Sequence, residues 1–161
     1  MKPAKSDLVW QLYKRLRDAN IPMVISLYER EFIKVIKIGK IQFLTKFANA
    51  SGKDFRHFFG FTVDDVEFPT QYREAILVIG SDKIERCYSI PYSRLATYLR
   101  TGEPVYNPKQ DFSAYKATIF PKHGYILKVE KGDRSAFEVE NFRIDDIENY
   151  FKRFIISKDA P

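Results

Sequence analysis

The chain has 161 residues, of which 45% are hydrophobic and 16% aromatic, with 27 Lys/Arg against 21 Asp/Glu and a net charge of +6. Such a length can bury roughly 70% of the unfolded surface, and the composition excludes a disordered chain; the lone cysteine, Cys87, excludes an internal disulfide framework. The charge is uneven, because residues 1–61 carry 12 Lys/Arg and 5 Asp/Glu, a balance of +7, whereas residues 62–161 carry 15 and 16.

In chain order, Ser6 is the expected N-cap of a helix over about 7–19, with Leu8, Leu12, Leu16 and Ala19 on one face. Asn20-Ile-Pro ends it, since the residue before proline leaves the helical region. Met23-Val-Ile reads as a short strand. Ser26-Leu-Tyr-Glu29 has the spacing of a capping box, which predicts a helix over about 27–38 with Gly39 as its stop. The competing reading there is a strand, because Phe32-Ile-Lys-Val-Ile-Lys-Ile is rich in β-branched residues.

From Lys40 the period becomes two. Ile41, Phe43, Thr45 and Phe47 alternate with Gln42, Leu44 and Lys46, predicting a strand with one buried face. Asn49-Ala-Ser-Gly-Lys is turn chemistry, and Asp54 to Phe61 reads as the returning strand of a hairpin. Val66 to Tyr72 is expected to be a loop. Glu74-Ala-Ile-Leu-Val-Ile is a nearly continuous apolar strand and therefore central; Gly80-Ser-Asp-Lys turns it into Ile84 to Ile90. Pro91 opens a short helix to about Leu99, closed by Gly102. Residues 103–113 read as a loop, Tyr115–Phe120 and Tyr125–Glu130 as a hairpin, Ala136–Val139 as an edge strand, and 144–153 as a last helix. The expected class is α+β: a mostly antiparallel sheet of six or seven strands, or a pseudobarrel, with flanking helices. A single domain over 1–161 is expected, a basic helix–hairpin part (1–61) followed by a near-neutral β-rich part (62–161).

A lopsided positive charge points to a polyanionic partner. The candidates are Lys34 and Lys37, three apart on the expected helix, Lys40 and Lys46 on the polar face of the next strand, and Lys53, Arg56 and His57 from the turn and return strand. Each phosphate neutralised by such a set adds salt-dependent, sequence-independent affinity; the bland alternative is a solvated face. In Lys53-Asp-Phe-Arg-His-Phe-Phe-Gly-Phe61, alternation sends Phe55, His57 and Phe59 to one face and Arg56, Phe58 and Gly60 to the other. Aromatic platforms beside cations suit base stacking, although strand aromatics more often pack a core. Arg56 and His57 are therefore the expected contacts.

Catalytic signatures are weak. Only two histidines exist, His57 and His123, and Cys87 sits in an apolar strand as a buried structural thiol. The clustered Cys/His ligands of a zinc site are missing, and none of the seven glycines follows a nucleotide-binding spacing. A Mg²⁺-dependent nuclease would need carboxylates such as Glu29, Glu31, Asp54 or Glu74 with a neighbouring lysine. Glu74-Ala-Ile lacks that lysine, and acids in Asp145-Asp-Ile-Glu148 suit the first turn of a helix. No cofactor is implied.

Phe58-Phe-Gly-Phe61, Ala75-Ile-Leu-Val-Ile-Gly80 and Tyr88-Ser-Ile-Pro-Tyr-Ser-Arg-Leu95 follow one another as an aromatic-Gly strand, an apolar strand ending in Gly, and an Ile-Pro helix start. Over about residues 40–130 this order resembles the DNA-recognition domains of restriction systems, such as the N-terminal specificity domains of McrB-like proteins. The resemblance implies a pseudobarrel that reads a DNA site while another domain or subunit, a nuclease or NTPase, cuts. The expected function is thus a non-catalytic DNA-binding module that takes DNA in preference to RNA. A small Mg²⁺-dependent nuclease of a restriction system and a protein-interaction domain with a basic face are the alternatives. The sequence has no apolar run of about 18 residues and no signal core at its start, so a cytoplasmic protein without a membrane partner is expected.

Overall fold

Helix α1 (Leu8–Asp18) begins the computed structural model of the chain, which describes residues 7–28, 32–51, 56–109, 111–132 and 135–159. Its cap is Asp7, whose Oδ1 accepts from the Val9 N–H at 3.0 Å; Ser6 lies outside the described residues. Leu8, Val9, Leu12 and Leu16 turn inward, as their helical spacing requires.

Where a helix over 27–38 is expected, the chain forms a β-hairpin. β1 (Val24–Tyr28) and β2 (Phe32–Ile38) pair antiparallel. Gly39, at φ 61°, opens the turn into β3 (Ile41–Ser51) and stops no helix. Register explains the misleading pattern. Ser26 pairs with Val35 and Leu27 with Ile33, so Lys34 has no residue opposite it in β1. A bulge of this kind turns two successive side chains to one side of the strand. Ile33, Ile36 and Ile38 accordingly join one core cluster while Val35 joins another. Buried positions three apart then imitate a helical period.

β3 carries three different neighbours. Its first residues pair with β2, from Ile38↔Ile41 to Val35↔Leu44. Along its other edge it runs parallel to β5 (Glu74–Gly80), from Phe43↔Glu74 to Asn49↔Gly80. Its last two residues pair with β4 (Arg56–Thr62), which reduces the expected 41–61 hairpin to Ala50↔His57 and Ser51↔Arg56. β6 (Ile84–Pro91) takes the free edge of β5 and makes β5 central, as its unbroken apolar run predicts. β4 leads into a second sheet with β8 (Phe112–Phe120), whose other edge pairs with β7 (Val105–Asn107) and β9 (Ile126–Val129).

The class is α+β, with nine strands among the described residues where six or seven were expected. The strand path ends at β1 and β7, so the sheets stay open and form no closed barrel. The expected 66–72 loop is largely helical: α2 (Val63–Glu67) is followed by a 3₁₀ turn at Pro69–Gln71. Strand β7 interrupts the 103–113 loop. The expected edge strand at Ala136–Val139 is one bridge, Leu127↔Phe137, before a 3₁₀ turn. α3 (Tyr92–Leu99) and α4 (Ile147–Asp159) complete the fold.

Helices α1 and α4 cover one face of the first sheet, where the Phe43 ring meets Phe151 and Phe154 edge-on at 5.4 and 5.1 Å. On its other face Leu44, Ala75, Leu77 and Ile79 pack with α3 and the inner residues of the second sheet, among them Phe59, Phe61, Ala117 and Ile119. The centre of the first sheet, around β5, is therefore buried on both faces, while the edge strand β1 stays largely exposed.

At the bulge, Thr45 replaces the ladder. Beyond Leu44 the β2–β3 pairing stops, and the buried Thr45 hydroxyl donates to the Ile33 carbonyl at 2.7 Å, with the Lys34 carbonyl at 3.2 Å. Thr45→Val, nearly isosteric, leaves that buried acceptor unmet and is expected to lower stability by about 1–2 kcal/mol. A urea midpoint unchanged from the parent would show that the hydroxyl does not hold the bulge.

Candidate functional site

Lys46 breaks an apolar face. On β3 it lies two residues from Leu44 and two from Ala48, both buried in the cluster between the sheets, so period-two geometry sends it to that same side. The expected polar face of β3 is therefore largely core. The lysine is tolerated because its ammonium reaches a cleft. Nζ donates to the Tyr28 hydroxyl at 2.9 Å and stands 4.9 Å from the Tyr28 ring centre and 5.6 Å from that of Phe61. Both distances lie within cation–π range.

The cleft has a volume of about 950 Å³ and is built from distant parts of the sequence. β1 supplies Tyr28; β2 and β3 supply Phe32, Lys34, Lys46 and Phe47; α2 supplies Asp64 and Asp65; Pro104 and Phe112 close the far wall. Asp65, 4% exposed, is presented by the first turn of α2, where its own N–H donates to the capping Thr62 hydroxyl at 3.2 Å. Its Oδ1 accepts from the Tyr72 hydroxyl at 3.2 Å and lies 3.7 Å from Lys34 Nζ. Its Oδ2 is buried and accepts no hydrogen bond from any described residue.

These groups set one another's protonation. Burial holds the Lys46 ammonium down at about 8; the Asp65 carboxylate opposes that shift and Lys34 adds to it. Burial, then the Asp65 charge and its hydrogen bond, push the Tyr72 phenol up to about 12. Tyr28 is raised as well, first by burial and then by the Asp65 charge. Both phenols thus stay protonated at neutral pH, and the lysine is the group poised to titrate there.

A second feature lies on the outside of the second sheet. Alternation along β4 buries His57, Phe59 and Phe61 and leaves Phe58 51% exposed. The Arg56 guanidinium sits 5.7 Å from the Phe58 ring centre. Phe58 pairs across with Thr118 and Gly60 with Lys116, while Thr118 pairs with Lys128 of β9. Phe58, Lys116 and Lys128 therefore share one outer face, where both lysines are exposed. A Cβ built on Gly60 would meet nothing within 4 Å, so this face is open above the strand.

The candidate cations are divided among three places. Lys34 and Lys46 enter the cleft. Lys37 and Lys40 are exposed near the β2–β3 turn. Arg56 lies opposite Ser51, at the far end of β3 and about 30 Å away at the rise of an extended strand. His57 is 3% exposed and faces the interior, so it offers no direct contact to a ligand. Lys53 lies outside the described residues, as do Glu29, Glu31, Asp54 and Phe55. The alternation argument does separate His57 and Phe59 from Arg56 and Phe58, but the exposed aromatic is Phe58.

The candidate acids among the described residues include several held in structural contacts. Glu74 Oε2 accepts from the Ser89 and Tyr150 hydroxyls at 2.8 and 2.6 Å. Asp146 Oδ1 accepts from the Asn149 N–H at 3.1 Å, at the start of α4. Glu148 forms a two-point bridge to Arg15, with contacts of 3.0 and 2.8 Å, and its carboxyl is held below the usual range by that partner. Among the described residues, no three His, Cys, Asp or Glu side chains are placed to hold a metal ion. Cys87 is buried and its thiol is pushed up to about 12 by that burial. No described helix is long and apolar enough to cross a membrane.

Lys116 and Lys128 were legible in principle. Each is the polar member of an alternating strand, between Tyr115 and Ala117 and between Leu127 and Val129. Tyr28, Asp65 and Tyr72 carry no such signal, because only the tertiary fold assembles them. Comparison with models of protein families, with curated proteins and with solved structures gives no match to this chain.

Between pH 8 and Lys46's ordinary 10.5, the unfolded chain binds a proton at this position that the folded chain does not, so this group's contribution to stability rises with pH across that window. Lys46→Met removes the buried ammonium and is expected to raise stability at pH 7 by about 1–2 kcal/mol, less than the full shift because the ammonium keeps partial contact with water. The gain should shrink as the pH rises from 8 towards 10.5. Urea melts at pH 7 and 10 that show equal gains would dissociate the effect from the charge.

Proposed function

We propose that this chain is a non-catalytic DNA-binding module whose contact surface is the outer face of the second sheet. The observation that carries this reading is the exposed Phe58 ring with the Arg56 guanidinium over it, beside Lys116 and Lys128 on the same face. An exposed ring on a flat strand face gives a base a stacking surface that works for any sequence. Cations spaced across neighbouring strands, about 4.8 Å apart per strand, meet the phosphates and release counterions. Lys37 and Lys40 are exposed as well, at the other end of β3 and apart from this face.

In this reading the module anchors DNA and chemistry belongs to a partner. The resemblance to restriction specificity domains suggests a nuclease or NTPase subunit of a restriction or defence system for that role. The nuclease alternative gains nothing from Glu74 or Asp146, which are engaged in hydrogen bonds within the fold.

Fluorescence anisotropy with a labelled duplex and a labelled single strand at about 50 mM salt tests the proposal. Binding is expected, with the slope of log affinity against log salt falling by about one for each of Arg56→Ala, Lys116→Ala and Lys128→Ala. Phe58→Ala is expected to weaken the single strand more than the duplex. Absence of binding to both probes, or full affinity in the triple alanine variant, would overturn the assignment of this face.

A further inference from the structure

The cleft has no part in the DNA-binding reading, yet it concentrates the unusual chemistry of the molecule. Its amine projects from an otherwise apolar strand face between two sheets. Among the described residues no carboxylate lies within ion-pair distance of Lys46 Nζ, since Asp65 is taken by Lys34 at 3.7 Å and by Tyr72. The acceptor Asp65 Oδ2, in contrast, is buried in the cleft wall without a donor. Phe32, Phe47, Phe112 and the Tyr28 ring provide apolar walls.

We propose that the cleft takes a small carbonyl compound and that Lys46 Nζ holds it as an imine. The neutral amine attacks the carbonyl carbon, forming the C–N bond while the C=O π pair moves to oxygen. The two amine hydrogens pass to that oxygen, which departs as water, leaving C=N with no change in oxidation state. The Asp65 carboxylate in the cleft wall, whose charge acts on Lys46, relays one proton, and the Tyr28 hydroxyl orients the amine. A desolvated lysine in an apolar pocket is the side chain suited to this chemistry. Lys34, 5.3 Å from the Tyr28 ring centre, supplies a fixed positive charge for an anionic group on the ligand.

The groups facing Lys46 are Tyr28 from β1, Lys34 from β2, Asp64 and Asp65 from α2, and Tyr72 beyond them. Of these, Lys46 alone has a shift that brings it to about 8, so imine formation should rise with pH around that value.

The probe is pyridoxal 5′-phosphate, an aromatic aldehyde that carries an anion. The full chain is incubated with it across pH 6–10, reduced with borohydride to fix any imine as a secondary amine, and mapped by peptide mass spectrometry. The expected result is an adduct on Lys46 at least tenfold above that on exposed Lys37 or Lys40, with a midpoint near pH 8, reduced several-fold by Lys34→Met. A folded Lys46→Met variant should lose the dominant adduct. Labelling of Lys46 no greater than that of Lys37, or a midpoint above pH 10, overturns the proposal, and both are read on the parent protein without any variant. DNA binding plays no part in this experiment, so its outcome is independent of the sheet-face reading.

Discussion

β3 cannot keep one set of neighbours along eleven residues, and each backbone N–H and C=O it presents must still be met. β2 serves it only to Leu44, because the bulge at Lys34 carries β2 away. Thr45 then answers the freed carbonyls of β2 with its side chain. β5 serves the opposite edge to Asn49, and β4 takes over for the last two residues. This change of partner passes the chain from the first sheet to the second. It also opens the gap between diverging strands, and the cleft lies in that gap: Ile33, Lys34, Thr45 and Lys46 are all part of its wall.

The same bulge limits what could be read from the sequence. Elements with an uninterrupted period were legible, α1 from its leucine spacing, β5 from its apolar run, and β8 and β9 from alternation; β6 was legible from the turn that precedes it. β2 was legible only as the competing reading to a helix, because one unpaired residue shifts the phase of burial and turns a two-residue period into a spacing of three. Gly39 gave no help, since a positive φ ends a helix and turns a hairpin equally well. The parallel β3–β5 pair was hidden for a different reason. A hairpin is written locally in turn residues, whereas a parallel pair joins strands some thirty residues apart with nothing local to mark it.

Charge counted by segment proved a poor guide to charge arranged on a surface. Part of the N-terminal excess is engaged within the fold, by Lys34–Asp65 and the Lys46–Tyr28 hydrogen bond at the cleft and by Arg15–Glu148 at the surface. Two of the cations that share a face with Phe58, Lys116 and Lys128, come instead from the near-neutral part. A strand exposes alternate residues whatever the net charge of its segment, so phase within each strand, and not the running balance, decides which cations meet solvent.

Phase along β4 also keeps the two candidate surfaces apart. Its inward residues, His57, Phe59 and Phe61, belong to the interior, and Phe61 lies against the Lys46 ammonium. Its outward residues, Arg56, Phe58 and Gly60, build the open face. One strand thus borders a largely apolar cleft on one side and a solvated platform on the other. Packing gives no reason for Lys46: Leu44 and Ala48 show that its position is core, and an apolar side chain there would avoid the desolvation of an ammonium. A fold that keeps a charge where its neighbours are apolar has the tension expected of a site, since functional groups are held where stability alone would not put them. On the outer face no such tension exists, because Lys116 and Lys128 are fully compatible with water. The cleft is therefore marked by what it costs the fold, and the platform only by what it offers a partner.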